Sequence, residues 1–161
     1  MTVDYIKKVS SQTAFNLSIS KRVEIPDSLE IMMPILNKPP LNTGNTIYEI
    51  KDGILFIERL ERVHFTAENF KIITENRLSY SEGFSYPVII FGKDMMSMDK
   101  AARDYMSGEG CTNKLSRAFV VEKTQGKLQL NFFINTNRQP TPVEVFDKME
   151  AAIEWSKQFR K

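Results

Sequence analysis

The sequence contains one cysteine and one histidine among 161 residues. With Cys111 alone, an intrachain disulfide and a cysteine-based metal cluster are both excluded. With His64 alone, a metal site built on two histidines is excluded as well. We therefore expect no metal site and no cofactor, and a chain that works in the reducing cytoplasm.

The sequence also lacks a marked excess of charge of one sign and lacks long apolar runs. The 22 Lys and Arg residues nearly balance the 20 Asp and Glu residues, which leaves a formal net charge of +2. Nucleic-acid binding normally needs a strong, clustered basic excess, so we do not expect it here. No run approaches the roughly 20 apolar residues that span a bilayer. The start of the chain also lacks the pattern of a secretory signal, and we expect a cytoplasmic protein.

What remains is the composition of a globular protein, with 42% hydrophobic and 26% charged residues. Residues 13–25 alternate between apolar and polar side chains, which predicts a half-buried strand. A proline-containing linker follows at residues 37–40. We therefore divide the chain into an amino-terminal extension at residues 1–45 and an α/β domain at residues 46–161. The extension either lies on the domain or pairs with a second chain to form a dimer.

The domain shows the pattern β-β-α-β-α-β-α-β-α. Asp52 and Gly53 are suited to a two-residue hairpin between the first two strands. The apolar run at residues 87–91 indicates a central strand that is covered on both faces. Thr66 and Asp99 are predicted helix caps, and a helix is predicted at residues 127–135, after Gly126. A final strand is predicted at residues 142–146, where Pro140 and Pro142 indicate either an edge strand or the start of a strand. Asp147 and Glu150 predict a capping box for the last helix. This order predicts a mixed β-sheet with helices packed on it.

Four stretches carry a resemblance to a known family. They are residues 48–55 (YEIKDGIL), 86–90 (YPVII), 100–105 (KAARDY) and the strand at 142–146 with the helix after it. Together they resemble small uncharacterised bacterial proteins related to STAS domains, the fold of anti-sigma-factor antagonists, and to a lipid-carrier-like branch of that fold. The resemblance covers residues 46–159 and does not extend to the first 45 residues.

The resemblance implies a non-enzymatic, STAS-like regulatory module that binds a protein partner or senses a ligand. In some STAS domains a serine directly after an aspartate, at the start of the second helix, is phosphorylated. Here Met98 and Asp99 resemble the preceding residues, but Lys100 stands where that serine would be. Since lysine cannot take that phosphate, Ser97 is only a displaced substitute, and the sequence does not show whether it is phosphorylated.

We place the candidate partner or ligand surface on the loop and helix that follow the central strand. Asp99 fixes the start of the helix, Lys100 and Arg103 present charge, and the methionines present adaptable apolar surface. The complete predicted surface is Lys93, Asp94, Met96, Ser97, Met98, Asp99, Lys100 and Arg103.

Two further hypotheses stay open. In the first, the protein binds a small apolar or lipid-like ligand between the sheet and the helices, near Phe132, Phe133 and the strand at residues 87–91. In the second, it is an assembly protein that pairs with itself through its amino-terminal arm. Catalysis is not expected, because neither His64 nor Cys111 has an evident partner for acid-base or nucleophilic chemistry in the sequence.

Overall fold

The computed structural model describes residues 38–93 and 97–161, which all fall within one compact unit. The predicted strand at residues 13–25 lies outside the described residues. Within them, the strands are β1 (Leu41–Asn42), β2 (Thr46–Lys51), β3 (Ile54–Arg59), β4 (His64–Phe65), β5 (Tyr86–Gly92), β6 (Ser97–Met98), β7 (Lys114–Val120) and β8 (Val143–Phe146). The helices are α1 (Ala67–Tyr80), α2 (Lys100–Met106), α3 (Thr124–Thr136) and α4 (Met149–Lys157), with a 3-10 turn at Glu109–Cys111.

Six of these strands form a mixed sheet in the order β1-β2-β3-β5-β7-β8. The pairs among β1, β2 and β3 are antiparallel, while β3, β5, β7 and β8 pair in parallel. Strand β5 lies between β3 and β7, and its first five residues are buried. This confirms the predicted central strand and the predicted mixed α/β fold class. Strand β8 lies at an edge of the sheet, which is one of the two predicted alternatives.

The hairpin between β2 and β3 forms at the predicted dipeptide. Both turn residues have positive φ, 51° at Asp52 and 72° at Gly53. A two-residue turn with two left-handed positions matches the twist of the flanking strands. The turn therefore fixes the antiparallel register, in which Lys51 lies opposite Ile54.

The helices cover the two faces of the sheet unequally. Helices α1, α2 and α3 contribute Tyr80, Met106, Leu130 and Phe133 to a core with one face of the strands. Helix α4 packs Ala152 against the opposite face, which includes Ile54, Ile89 and Ala118. Because side chains alternate along a strand, Val88 and Ile90 face the larger core while Ile89 faces α4.

Two predicted helix caps are confirmed. The Thr66 side chain accepts a hydrogen bond from the Asn69 backbone N–H at the start of α1, and the Asn69 side chain accepts one from the Thr66 N–H. At the start of α2, Asp99 Oδ1 accepts a 2.7 Å hydrogen bond from the Ala102 N–H. Each side chain supplies a partner to an N–H group that has none within the helix.

The beginnings of the last two helices differ from the prediction. Helix α3 begins at Thr124, so Gly126 lies inside its first turn and not before it. The predicted capping box of Asp147 and Glu150 is wrong, because Lys148 occupies the cap position of α4 and makes no side-chain cap hydrogen bond. Strand β8 ends at Phe146 and helix α4 begins at Met149, so the cap position falls on Lys148. A lysine side chain has no hydrogen-bond acceptor to offer to the free N–H groups of the helix.

Residues 38–42, which belong to the predicted extension, contact the domain. Strand β1 pairs with β2, and the Pro39 carbonyl accepts a 3.2 Å hydrogen bond from the Tyr80 hydroxyl. Lys38 Nζ lies 3.1 Å from a Glu82 carboxylate oxygen. The boundary at residue 45 and the role of residues 1–37 stay predictions.

Candidate functional site

Strand β6 and helix α2 hold most of the predicted surface. Ser97 and Met98 form β6, Asp99 is the helix cap, and Lys100 and Arg103 lie on α2. Asp94 and Met96 fall outside the described residues. Strand β6 pairs in parallel with β4, a two-stranded sheet too short to be predicted from a periodic pattern.

A groove runs between β6, α2 and α3, and we call it the α2–α3 groove. It brings three predicted residues together with one face of α3. Its lining residues are Ser97, Met98, Arg103, Gln129, Phe132 and Phe133. Its volume is about 200 Å³. The exposed side chains Leu128 and Phe132 lie one helical turn apart on α3, so they fall on the same side of that helix.

The polar groups beside the groove are already engaged within the domain. Lys100 Nζ lies 2.6 Å from Asp104 Oδ2 in an exposed ion pair. Such exposed pairs stabilise a helix by only about 0.3–0.5 kcal/mol. Ser97 Oγ and His64 Nδ1 form a hydrogen bond, which joins β6 to β4. The Ser97 hydroxyl is therefore held against His64.

Lys93 lies elsewhere, in a cleft at the carboxyl ends of β3, β5 and β7. This open cleft has a volume of about 730 Å³. Both basic and acidic side chains line it: Glu58, Arg59, Arg62, Lys93, Glu122, Lys123, Asp147, Lys148 and Glu150. The structure thus separates Lys93 from Ser97, Met98 and Arg103, although all four are close in the sequence. The mixed charge does not favour an anion over a cation.

A partly open cavity lies between the sheet and helices α1, α2 and α3, and we call it the cationic cavity. Its volume is about 50 Å³. Most of its walls are apolar, but Arg59, Arg77 and Lys114 also line it. None of the described residues that line the cavity is Asp or Glu. The sequence predicted a ligand site between the sheet and the helices, but of the residues named for it only Ile90, in the strand at residues 87–91, lines this cavity. The basic residues of the cavity were not predicted.

Burial perturbs the basic groups around this cavity. Arg77 is 1% exposed, and burial lowers the pKa of its guanidinium to about 10, so it is still charged at pH 7. The pKa of the half-buried Lys114 falls to about 7, first because of burial and next because of the positive charge of Arg77. Arg117 also lowers that pKa, whereas Cys111 opposes the change. Lys114 therefore changes charge near neutral pH.

Neutral hydrogen-bond acceptors, and not an acid, satisfy the buried guanidinium of Arg117. Its guanidinium donates hydrogen bonds to the Met106 carbonyl at 3.4 Å and to the Thr141 hydroxyl at 3.3 Å, and a third to Gln139 Oε1. Burial lowers the pKa of its guanidinium. These neutral acceptors make Arg117 a structural link between β7, α2 and the loop before β8.

A sequence signal for the cationic cavity does exist. Arg77 continues the inward spacing of Phe70, Ile73 and Tyr80 on α1, which places a charge on the buried side of that helix. Arg117 interrupts the apolar run of β7 in the same way. A charge at a core position needs an explanation, because burial of an unpaired ion is costly.

Within residues 38–93 and 97–161, no three His, Cys, Asp or Glu side chains are grouped so that they could hold a metal ion. Among the described helices, none combines the length and the apolarity needed to cross a membrane.

The strand order and the helices on both faces define a mixed α/β domain. The chain belongs to the family described as Domain of unknown function (DUF7793), which matches residues 48–160. None of the curated proteins matches the chain.

The structure is similar to the crystal structure of an uncharacterized protein from the DUF3478 family with a SpoIIAA-like fold, from Shewanella loihica PV-4. The two chains are 13% identical, with a TM-score of 0.46, and the match covers 73% of this chain and 90% of that chain.

Proposed function

We propose that this protein is a non-enzymatic binding module that contacts a protein partner through the α2–α3 groove and the exposed side of α3. The observation that carries the proposal is the exposure of two large apolar side chains on one side of one helix. Leu128 is 65% exposed and Phe132 is 64% exposed. Phe132 also lines the groove that contains Met98 and Arg103.

Adjacent exposed apolar groups are typical of contact surfaces. Single exposed apolar residues are common, but a pair beside a groove removes more apolar area from water when a partner covers it. Aromatic, methionine and arginine side chains are enriched at the centres of protein interfaces. Phe132, Met98 and Arg103 supply these three types in one groove. Met98 can adapt its shape to a partner because its side chain is flexible.

The charge of the groove favours an acidic partner segment. Among the described residues that line the groove, Arg103 is the one that is charged. Lys100 lies three positions earlier on α2. A partner carboxylate could pair with Arg103 at the rim while an apolar side chain covers Phe132. The STAS-like resemblance supports the same class of function, since it implies a module that acts by contact.

The test compares substitutions on the groove with a matched substitution elsewhere. In the full chain, Leu128→Ser with Phe132→Ser removes apolar surface from the proposed interface. Ile72→Ser removes an apolar side chain that is 53% exposed on α1 and serves as the control. Tagged forms are expressed in the native cells, cross-linked briefly and captured, and each partner is quantified against the wild type.

We expect the double variant to lose the partner and the control to retain it. A second pair of changes, Lys100→Glu with Arg103→Glu, should weaken capture because it reverses the charge at the rim. Circular dichroism and urea unfolding confirm that the exposed serine variants fold, since such substitutions usually change stability by less than about 0.5 kcal/mol. Equal capture of the same partner by the double variant and by Ile72→Ser would overturn the proposal.

A further inference from the structure

The cationic cavity contains a buried charge that lacks a partner on part of its surface. Arg77 Nη2 donates a 2.7 Å hydrogen bond to the Thr112 carbonyl. Arg77 Nη1 is buried and has no hydrogen-bond partner among the described residues. An unsatisfied buried donor costs about 1–3 kcal/mol, and more when it is charged. This donor belongs to a residue that lines the cationic cavity, where a bound group could accept a hydrogen bond from it.

Arg77 and Lys114 have no acid to balance them among the described residues that line the cavity. No described Asp or Glu is buried, and none lines the cavity. Lys114 lines the same cavity and interacts with Arg77 through charge repulsion. Arg117 differs, because neutral acceptors already satisfy it. An anion that enters the cavity would relieve the repulsion between Arg77 and Lys114 and complete the hydrogen bonding of Arg77.

We propose that the cationic cavity binds a small monocarboxylate, whose oxygens accept from Arg77 and Lys114 and whose short apolar tail contacts the apolar walls. The geometry of a guanidinium, with parallel N–H donors, suits the two oxygens of a carboxylate. The site shares only Met98 with the α2–α3 groove, so it is distinct from the proposed protein contact.

The walls and the size of the cavity favour this class of anion. A volume of about 50 Å³ has room for about four water molecules. A carboxylate of about two or three carbons has four or five non-hydrogen atoms and is close to this size. The apolar walls would solvate its tail but would not satisfy the extra oxygens of a phosphate. They include Ile57, Phe70, Ile73, Ile90, Phe119 and Leu130.

The protonation of Lys114 would be coupled to binding. The groups that face or influence it are Arg77 on α1, Tyr105 on α2, Cys111 in the 3-10 turn, Arg59 on β3 and Arg117 on β7. A carboxylate beside Lys114 favours the ammonium form, so binding takes up protons near and above pH 7. The affinity should therefore decrease as the pH rises from 6.5 to 8.5, up to tenfold for each pH unit once Lys114 is neutral.

The first experiment is calorimetric titration of the full chain with sodium propionate at pH 6.5 and constant ionic strength. Propionamide, which has the same shape without the charge, is the matched ligand. We expect one propionate to bind per chain and propionamide to bind at least tenfold more weakly. Equal binding of the two ligands, or no binding of propionate, overturns the proposal. Tighter binding of inorganic phosphate than of propionate would also overturn the carboxylate assignment.

The second experiment repeats the titration with variants. Lys114→Met keeps the length of the side chain but removes the charge, and we expect it to weaken propionate binding at least tenfold and to abolish the pH dependence. Lys71→Met removes an exposed charge from α1 and should bind like the wild type. Arg77→Met should lose binding as well, with circular dichroism as the check on folding. If Lys114→Met and Lys71→Met bind propionate equally, with the same pH dependence, the cavity is not the site.

Discussion

The Arg103 guanidinium donates a 2.8 Å hydrogen bond from Nη1 to the carbonyl oxygen of Met98. Arg103 lies on α2 and Met98 ends β6, so this contact joins two elements that line the α2–α3 groove. The cap at Asp99 lies between the two residues. The position of Met98 in the groove therefore depends on a correctly formed start of α2.

Removal of the α2 cap should weaken this arrangement. We predict that Asp99→Ala lowers the free energy of unfolding by about 1 kcal/mol, because the Ala102 N–H loses its acceptor. Asp99→Asn keeps a side-chain oxygen and should lose much less. Urea unfolding of both variants measures the difference. Equal stability of Asp99→Ala and the wild type would show that the cap contributes nothing.

Gly92 should not tolerate a side chain. It has a φ of 100°, and an added Cβ would lie 2.3 Å from the Arg59 carbonyl oxygen and 2.8 Å from the Arg59 nitrogen. We predict that Gly92→Ala costs more than about 3 kcal/mol, because backbone atoms of β3 would have to move.

Gly83 provides the matched control for Gly92. Its φ is 77°, but nothing lies within 4 Å of an added Cβ. Gly83→Ala should therefore cost only about 1 kcal/mol, the strain of the left-handed conformation alone. Urea unfolding of the two variants compares the costs directly. Equal costs would contradict the close approach of β3 at Gly92.

Stability should rise with pH because of Lys114. An unfolded lysine has a pKa of about 10.4, whereas burial and the charge of Arg77 lower that of Lys114 to about 7 in the folded protein. Below pH 7 Lys114 is protonated in both the folded and the unfolded state, and the folded state bears the full free-energy cost of the buried ammonium group. Above pH 7 the folded state releases a proton that the unfolded state keeps. Lys114 therefore adds stability with rising pH up to about pH 10, by at most about 1.4 kcal/mol per pH unit.

Lys114→Met isolates this contribution, since all other groups are shared with the wild type. The free energy of unfolding is measured with urea at pH 6.5 and pH 9 for both proteins. We predict that the wild type gains more stability over this interval than the variant does. The same gain in both proteins would show that the pKa of Lys114 is not lowered in the folded state.

The elements that were predicted from the sequence depend on local chemistry. Asp52 and Gly53 set the hairpin, Thr66 and Asp99 cap their helices, and the apolar run around Ile89 indicates a strand covered on both faces. Each of these signals acts within a few residues. The order of strands and helices, and hence the mixed sheet, could be predicted from them.

The sites depend on contacts between distant segments, and the sequence predicted them only in part. Phe132 and Arg103 share a groove because α2 and α3 pack on the same face of the sheet, which no spacing encodes. The cationic cavity joins Arg77 to Lys114 across 37 positions of the sequence. The sequence groups Lys93 with the α2 residues because it is close to them along the chain, but the chain direction after β5 places it in a different cleft.

The proposed interface is tested most directly by native mass spectrometry of the full chain, purified gently from its native cells. The measurement compares the wild type, the Leu128→Ser/Phe132→Ser variant and the Ile72→Ser control. We predict that the wild type and the control carry a protein partner and that the double variant is recovered without it. A wild-type chain without a protein partner, or a double variant that retains the partner, would contradict the proposed function.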